Sequence, residues 1–326
     1  MKALLCKAFG PAEKLVLEEV APVEPGKGQV VVEVRACSVN FPDTLIIEGK
    51  YQFKPDLPFV PGTDVAGIIK KVGEGVPQSR VGERVLAIPL WGGFAEEVAV
   101  DEARLIPLPH DLDFVTAAAF ALTYATSYYA LKDRAKLQPG ETLLVLGAAG
   151  GVGLAAVELG KLMGAKVVAA ASSGEKLAVC RRYGADEIMN YNTEDLKERL
   201  RTLTGRRGVD IVYDPVGGPY SEIALRSTAW EGRFLVIGFS NGEIPRIPLN
   251  LALLKGCSII GVFFGAFAQR DPNRCMQNFQ QLFAWIEEGR LRPLVSATYP
   301  LARAADAIKS LAERKVTGKI VVVTGS

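Results

Sequence analysis

Histidine is almost missing from this 326-residue chain. The one example, His110, lies in the proline-flanked stretch Pro107-Leu108-Pro109-His110-Asp111. A lone loop histidine reads as a surface residue, so chemistry built on an imidazole base is not expected. Five cysteines, Cys6, Cys37, Cys180, Cys257 and Cys275, are widely spaced and form no CxxC pair. That spacing offers neither a disulfide framework nor a zinc ribbon. No apolar run approaches the roughly 20 residues that span a bilayer. The apolar stretch after Met1 meets Gly10, too soon for the core of a signal peptide. A cytoplasmic protein with no membrane partner is therefore expected. Runs of Lys and Arg are also missing, and 38 basic residues against 36 acidic give a net charge of +2. That balance argues against a nucleic-acid partner.

What is present is a globular composition, 49% hydrophobic and 23% charged, in a chain long enough for two domains. The first 110 residues read as short strands, 2–6, 15–20, 29–36, 64–72 and 84–88, punctuated by Gly and Pro. They predict a small irregular antiparallel barrel. The rhythm changes near residue 112. Residues 114–131 are alanine-rich, free of Gly and Pro, and predict a helix. Strands at 142–146, 166–171, 187–190, 209–214, 233–239 and 258–264 then alternate with helices at 151–163, 174–183, 193–203 and 220–229. Thr193 is the expected N-cap of the third of these helices. Near-continuous apolar strands alternating with helices mean a parallel sheet covered on both faces. After 265 a helix at 273–288, a strand at 294–299, a helix at 302–313 and a strand at 319–323 are expected to return to the first domain. The expected division is 1–120, 121–264 and 265–326.

The segment 143–153 carries most of the chemistry. An apolar strand runs into Gly147-Ala148-Ala149-Gly150-Gly151-Val152-Gly153, and a helix follows. A helix N-terminus offers free N–H groups and a positive dipole end to a pyrophosphate. In such turns the middle glycine lets the backbone approach the phosphate, and the last lets helix and strand pack closely. Gly150 and Gly153 fill those roles, with Gly151 and Val152 between them. Ala148 replaces the first glycine of the usual GxGxxG. No Gly-Lys-Ser/Thr follows, which excludes a Walker loop. An NAD site usually carries an acidic residue after the second strand, to hold the ribose 2′-hydroxyl. Here that strand ends Ala171-Ser172-Ser173-Gly174-Glu175-Lys176. Ser172, Ser173 and Lys176 suit a 2′-phosphate, and the expected cofactor is NADPH.

The chain resembles a known family. The turn above, Ser38-Val39-Asn40-Phe41-Pro42-Asp43, Pro58-Phe59-Val60-Pro61-Gly62-Thr63-Asp64, Val81-Gly82-Glu83-Arg84 and the ending Val316-Thr317-Gly318-Lys319 together are similar to the zinc-independent, zeta-crystallin-like quinone oxidoreductases. These belong to the medium-chain dehydrogenase/reductase superfamily. The resemblance implies an α/β fold: a GroES-like β-barrel domain plus a Rossmann, doubly wound parallel-sheet domain, with the active site in the cleft between them. It implies a homodimer joined through the Rossmann edge strand, 258–264. Asn40 and Thr63 stand where the zinc-dependent relatives place a cysteine and a histidine ligand. A catalytic zinc needs three protein ligands, so no metal is expected.

The same resemblance puts Asn40 and Tyr51 on the substrate side and Thr123 near the nicotinamide. It adds Tyr191 to the adenosine-phosphate group. Phe239-Ser240 and Phe263-Phe264-Gly265 correspond to loops that bracket the nicotinamide. Arg314 and Lys319 match basic positions that reach the cofactor. Without zinc, hydrogen-bond donors must stabilise the developing oxyanion, and Asn40, Tyr51 and Thr123 are the candidate catalytic residues. The expected reaction is hydride transfer from NADPH to a quinone or similar conjugated carbonyl. Two rival readings remain. One is an enoyl-thioester or 2-alkenal reductase with Tyr51, in Gly49-Lys50-Tyr51, as proton donor. The other is a non-enzymatic NADPH-binding protein.

Overall fold

The computed structural model describes residues 1–325. In chain order the barrel elements are β1 (Lys2–Leu5), β2 (Val16–Glu19), β3 (Gln29–Ser38), α1 (Phe41–Ile46), β4 (Asp64–Val72), β5 (Arg84–Ala87), β6 (Glu97–Asp101) and β7 (Leu105–Pro107). Helix α2 (Phe114–Tyr128) follows and passes into a π-helical turn, Tyr129–Arg134. Then come β8 (Thr142–Val145), α3 (Gly151–Leu162), β9 (Lys166–Ala171), α4 (Gly174–Arg182), β10 (Glu187–Asn190), α5 (Leu196–Leu203), β11 (Val209–Asp214), α6 (Pro219–Arg226) and β12 (Thr228–Val236). The chain ends with α7 (Asn250–Lys255), β13 (Ser258–Gly261), α8 (Phe264–Arg270), α9 (Pro272–Glu287), β14 (Val295–Pro300), α10 (Ala304–Ala312) and β15 (Lys319–Val323).

Two compact units result. One is Met1–Leu122 with the chain from Pro293 onward, and the other is Thr123–Arg292. In the first unit, alternation places Val30, Val32 and Val34 of β3 in one core with Val65, Ile69, Val85 and Phe94. β3 pairs antiparallel with β4 along one edge. Its other edge is shared by β6, at Gln29 to Glu33, and by β15, at Ala36 to Ser38. β5 and β7 extend the sheet beyond β4. This pairing sets the C-terminal end of β3 beside the starts of β4 and β15, which matters below.

In the second unit the sheet order is β10-β9-β8-β11-β12-β13, with every pairing parallel. Counting from β8 this is 3-2-1-4-5-6, the doubly wound order of dinucleotide-binding domains. Its inner strands carry fully buried apolar runs, such as Leu143-Leu144-Val145 and Val167-Val168-Ala169-Ala170, as sheets covered on both faces require, while the edge strand β13 is largely exposed.

Several boundaries differ from those expected. The second unit does not stop at 264 but runs on to Arg292, because α8 and α9 pack on it: Phe267 stacks on Tyr129 at 4.0 Å, and Lys132 donates to Asn278 at 2.6 Å. The N-cap of α5 is Asp195, which accepts from the Glu198 N–H at 3.0 Å, while Thr193 sits in the preceding turn. β12 starts at Thr228, where a helical tail was expected. Glu231, at φ +58, makes the register irregularity there. The edge strand β13 ends at Gly261, so Phe264 and Gly265 open helix α8 rather than a loop. α1, β6, β7 and α7 were not foreseen, each being too short to carry a clear period.

Candidate active site

The cofactor end of the second unit is made by backbone. β8 leads into Gly147, which adopts the left-handed region at φ +57, and Gly150 is the extended N-cap of α3. Gly150 has no side chain to cap this helix, and its first-turn N–H groups have no intrahelical acceptor. The two key glycines differ in what surrounds them. A Cβ on Gly153 would lie 2.3 Å from the Gly147 carbonyl oxygen and 2.9 Å from the Ala148 Cα. Gly153 is thus required for helix and strand to touch. A Cβ on Gly150 meets nothing closer than 3.4 Å. Its bare face is open, which fits a phosphate resting on the helix start.

The parallel register then assembles the adenosine end. Asn190 of β10 lies opposite Ala171 of β9, which brings Tyr191 beside the serines. Ser173 caps α4 by accepting from the Lys176 N–H at 3.4 Å. The Lys176 ammonium reaches the Ser172 hydroxyl at 3.5 Å. Ser172, Ser173, Lys176 and Tyr191 are therefore brought together. Two neighbours escaped sequence reading. Asn192 donates to the Ser172 carbonyl at 3.0 Å, and the Tyr220 ring packs 4.6 Å from that of Tyr191. Sequence could have flagged Asn192, two residues after a strand end, but not Tyr220, which arrives from α6. The other positions in this unit scatter in character. Phe239 packs over Gly217, and Ser240 donates its N–H to the Pro215 carbonyl. Phe263 is exposed, whereas Phe264 is buried with its ring 6.2 Å from Phe267. Thr123 is buried in α2.

The first unit holds its polar residues inside. Ser38, Asn40, Asp43, Thr63, Asp64 and Lys319 are all buried. The Asn40 amide nitrogen donates to Asp64 at 3.0 Å and to the Ser38 hydroxyl and carbonyl at 3.2 and 3.3 Å. Ser38 also donates to Asp64 at 2.8 Å. The Asn40 backbone N–H donates to Asp43 at 2.7 Å, and Thr63 donates to the other Asp43 oxygen at 3.0 Å. The Lys319 ammonium donates to the Asn40 amide oxygen at 2.5 Å and to the Val39 carbonyl at 2.8 Å.

Two of the expected site residues are held inside the barrel. The Asn40 amide hydrogens are already committed within the protein, so they are not available to an oxyanion. The Lys319 ammonium is buried in the barrel, held by Asn40 and Val39. Burial pushes the Asp43 carboxyl up to about 7, helped by the Asp64 charge, against its two hydrogen bonds and the Lys319 charge. Burial raises Asp64 and lowers Lys319, each opposed by the other's charge. Tyr51 is half-buried, its ring 6.1 Å from Phe53, and burial with the Asp43 charge raises its phenol. Arg314 is exposed in the left-handed region after α10, at φ +58.

A zinc would need thiolate, imidazole or carboxylate donors. Asn40 and Thr63 supply none, and burial with two nearby carboxylates holds the Cys37 thiol protonated. Among the described residues, no group of three or more His, Cys, Asp and Glu could hold a metal. The residues do not fit one.

Residues 26–110 match the alcohol dehydrogenase GroES-like domain family, and residues 151–288 match the family described as zinc-binding dehydrogenase. A quinone oxidoreductase-like protein 2 homolog from Nematostella vectensis is 39% identical over 327 residues, covering 99% of this chain and 89% of that protein. The chain belongs to the quinone oxidoreductase family of medium-chain dehydrogenases/reductases. Its architecture is that family's GroES-like domain with a Rossmann domain. The Escherichia coli quinone oxidoreductase complexed with NADPH superposes with a TM-score of 0.94 at 30% identity, over 99% of this chain and 100% of that one. The quinone oxidoreductase of Thermus thermophilus, also solved with NADPH, gives a TM-score of 0.86 at 35% identity, over 99% and 100%. Among the described residues, no helix is long and apolar enough to cross a membrane.

Proposed function

We propose that this quinone oxidoreductase family member is a cytoplasmic, metal-free, NADPH-dependent reductase of a quinone or similar conjugated carbonyl. The observation that carries the cofactor choice is the end of β9. Two serines and a lysine stand there, beside Tyr191, where an NAD site would carry a carboxylate. Gly150, Gly151 and Val152 hold the pyrophosphate on the start of α3. Phe239, Ser240, Phe263, Phe264, Gly265 and Arg314 complete the cofactor contacts, and Thr123 lies near the nicotinamide. Bound NADPH supplies the hydride. The protein's part is to orient the acceptor, exclude water and hold negative charge on its oxygen.

Tyr51 is assigned to hydrogen-bond donation. A phenol raised above its ordinary value is a poorer acid but remains a protonated donor at neutral pH. Either reading uses Tyr51 in that protonated form, as a hydrogen-bond donor to a quinone oxygen or as a proton donor to an enoyl thioester.

A homodimer is part of the proposal. β13 is the edge of the parallel sheet, and Trp230, Leu249, Leu253 and Leu254 nearby are 71%, 77%, 79% and 69% exposed. An open edge flanked by such apolar residues calls for a covering partner, and a second copy supplies the same edge. Leu253→Asp should convert a dimer to monomer in sedimentation.

The deciding experiment follows loss of dihydronicotinamide absorbance with quinones, 2-alkenals and enoyl-coenzyme A thioesters. Fastest turnover with quinones is expected, with Tyr51→Phe slowing it about tenfold or less. A preference for enoyl thioesters, abolished by Tyr51→Phe, would install the rival reading. No turnover with any acceptor, despite NADPH binding, would make the protein a non-enzymatic binder.

A further inference from the structure

Two hydroxyls lie in the dry interior of the second unit. Ser127, near the end of α2, and Tyr213, in β11, are both 0% exposed. A buried hydroxyl without a partner is costly. The two oxygens are 2.8 Å apart, and the Ser127 oxygen is 2.9 Å from the Val152 carbonyl oxygen. A carbonyl only accepts, and a serine has one proton to give. The Ser127 proton therefore goes to Val152, and Tyr213 is the donor to Ser127. Burial agrees with that direction, because it keeps the Tyr213 phenol protonated. A serine inside a helix often bonds a carbonyl of its own preceding turn. Ser127 instead reaches another element, at the first turn of α3.

We infer that Ser127 is a positioning residue for the cofactor pyrophosphate, with Tyr213 as the group that orients it. This rests on the placement of the pyrophosphate at the start of α3 given above. The Val152 carbonyl and the Gly153 N–H belong to one planar peptide unit. Leu154 makes the first bond within α3, to the Gly150 carbonyl at 2.8 Å. Gly153 thus carries the last N–H of this helix start with no intrahelical acceptor. A donor on the Val152 carbonyl fixes the plane of that peptide and polarises the N–H at its other end. The turn before it, Gly147-Ala148-Ala149-Gly150-Gly151, has three glycines in five residues, and glycine loses the most freedom on ordering. A clamp already in place lowers that cost when the phosphate arrives. The groups that meet the cofactor stay local backbone, and what holds them comes from α2 and β11.

Two ligands and two variants separate positioning from packing. 2′-Phospho-ADP-ribose carries the pyrophosphate without the nicotinamide, and adenosine 2′-phosphate lacks the pyrophosphate. Ser127→Ala strands the Tyr213 hydroxyl and should lower the Tm, whereas Ser127→Ala with Tyr213→Phe removes both hydroxyls and should recover most of it. Affinity should not follow stability. Titration calorimetry should show both variants binding 2′-phospho-ADP-ribose about tenfold more weakly than wild type. Adenosine 2′-phosphate should bind all three proteins alike. A double variant that regains wild-type affinity along with its stability would overturn the inference, since Ser127 would then serve only the core. Equal weakening for both ligands would overturn it too. Should Ser127→Ala alone fail to fold, the double variant, with no stranded hydroxyl, decides. Wild type binding both ligands equally tightly would remove the pyrophosphate from the start of α3, and the role of Ser127 with it. A pyrophosphate preference kept undiminished in the double variant would remove the role of Ser127 alone.

Discussion

The two units build polar sites in different ways. In the second, the working groups are neighbours in sequence: Gly147 to Gly153 make one turn, and Ser172, Ser173 and Lys176 lie within a single helix start. Their chemistry comes from backbone N–H groups and short local contacts, at the exposed end of an apolar sheet. In the first, the working groups come from three distant segments. Lys319 meets Asn40 across 279 positions, and Asn40 meets Asp64 across 24. Their chemistry comes from side chains taken out of water. Local assembly leaves a spacing pattern, whereas long-range assembly leaves none. The first kind of site also tolerates loss of a side chain better than the second, where every removed partner strands another buried group.

The largest expected effect tests the burial half of this contrast. The Asp43 carboxyl is near 7 in the folded protein against an ordinary 3.8. Between those values the folded chain holds a proton that the unfolded chain has released. Stability from this group is complete below pH 3.8 and is lost as pH rises to about 7. Asp43→Asn removes the titration. The stability difference between wild type and variant should therefore fall across that window, by an amount on the order of 4 kcal/mol, and be flat above it. Urea unfolding at a series of pH values measures it. A difference independent of pH would show that the cluster is not as dry as its geometry indicates.

The next effect contrasts two glycines three residues apart. Gly153→Ala forces a Cβ against the Gly147 carbonyl and should cost about 2 kcal/mol of stability. Gly150→Ala has room and should change stability by less than about 0.5 kcal/mol, yet weaken NADPH binding where the phosphate approaches. Thermal unfolding and cofactor titration on both variants read the two quantities. If both glycines prove equal in stability, the division of the turn into a packing position and a ligand position breaks down.

These cases show what the sequence made legible. The doubly wound sheet was readable because buried parallel strands are continuous apolar runs, as in 142–146 and 166–171. The phosphate turn was readable because its glycines sit at fixed spacing. The serine–lysine end of β9 was readable as a missing carboxylate. Strand β12 was misplaced because Trp230, Glu231 and Gly232 interrupt its period with an irregular pairing. Phe264 was read as a loop residue because an aromatic after a strand carries no sign that a seven-residue helix begins there. Lys319 and Asn40 were individually singled out, but as a cofactor ligand and a substrate donor. That they bond to each other depends on β15 pairing with β3, a register no local pattern encodes.

The smallest expected effect probes the local kind of site. Lys176 is half-buried and holds Ser172 only at 3.5 Å, a weak contact in the free protein. Removing it should leave the fold intact. Its contribution to cofactor choice comes when a 2′-phosphate is present, as a charge-assisted hydrogen bond of about 1.5 kcal/mol. Lys176→Ala should thus raise the Kd for NADPH about tenfold and leave that for NADH unchanged, as measured by quenching of protein fluorescence. An equal loss for both cofactors would mean that Lys176 supports the adenosine end structurally. The serines, with Tyr191 and Asn192, would then carry the discrimination, and the local site would depend on a web of side chains as the barrel cluster does.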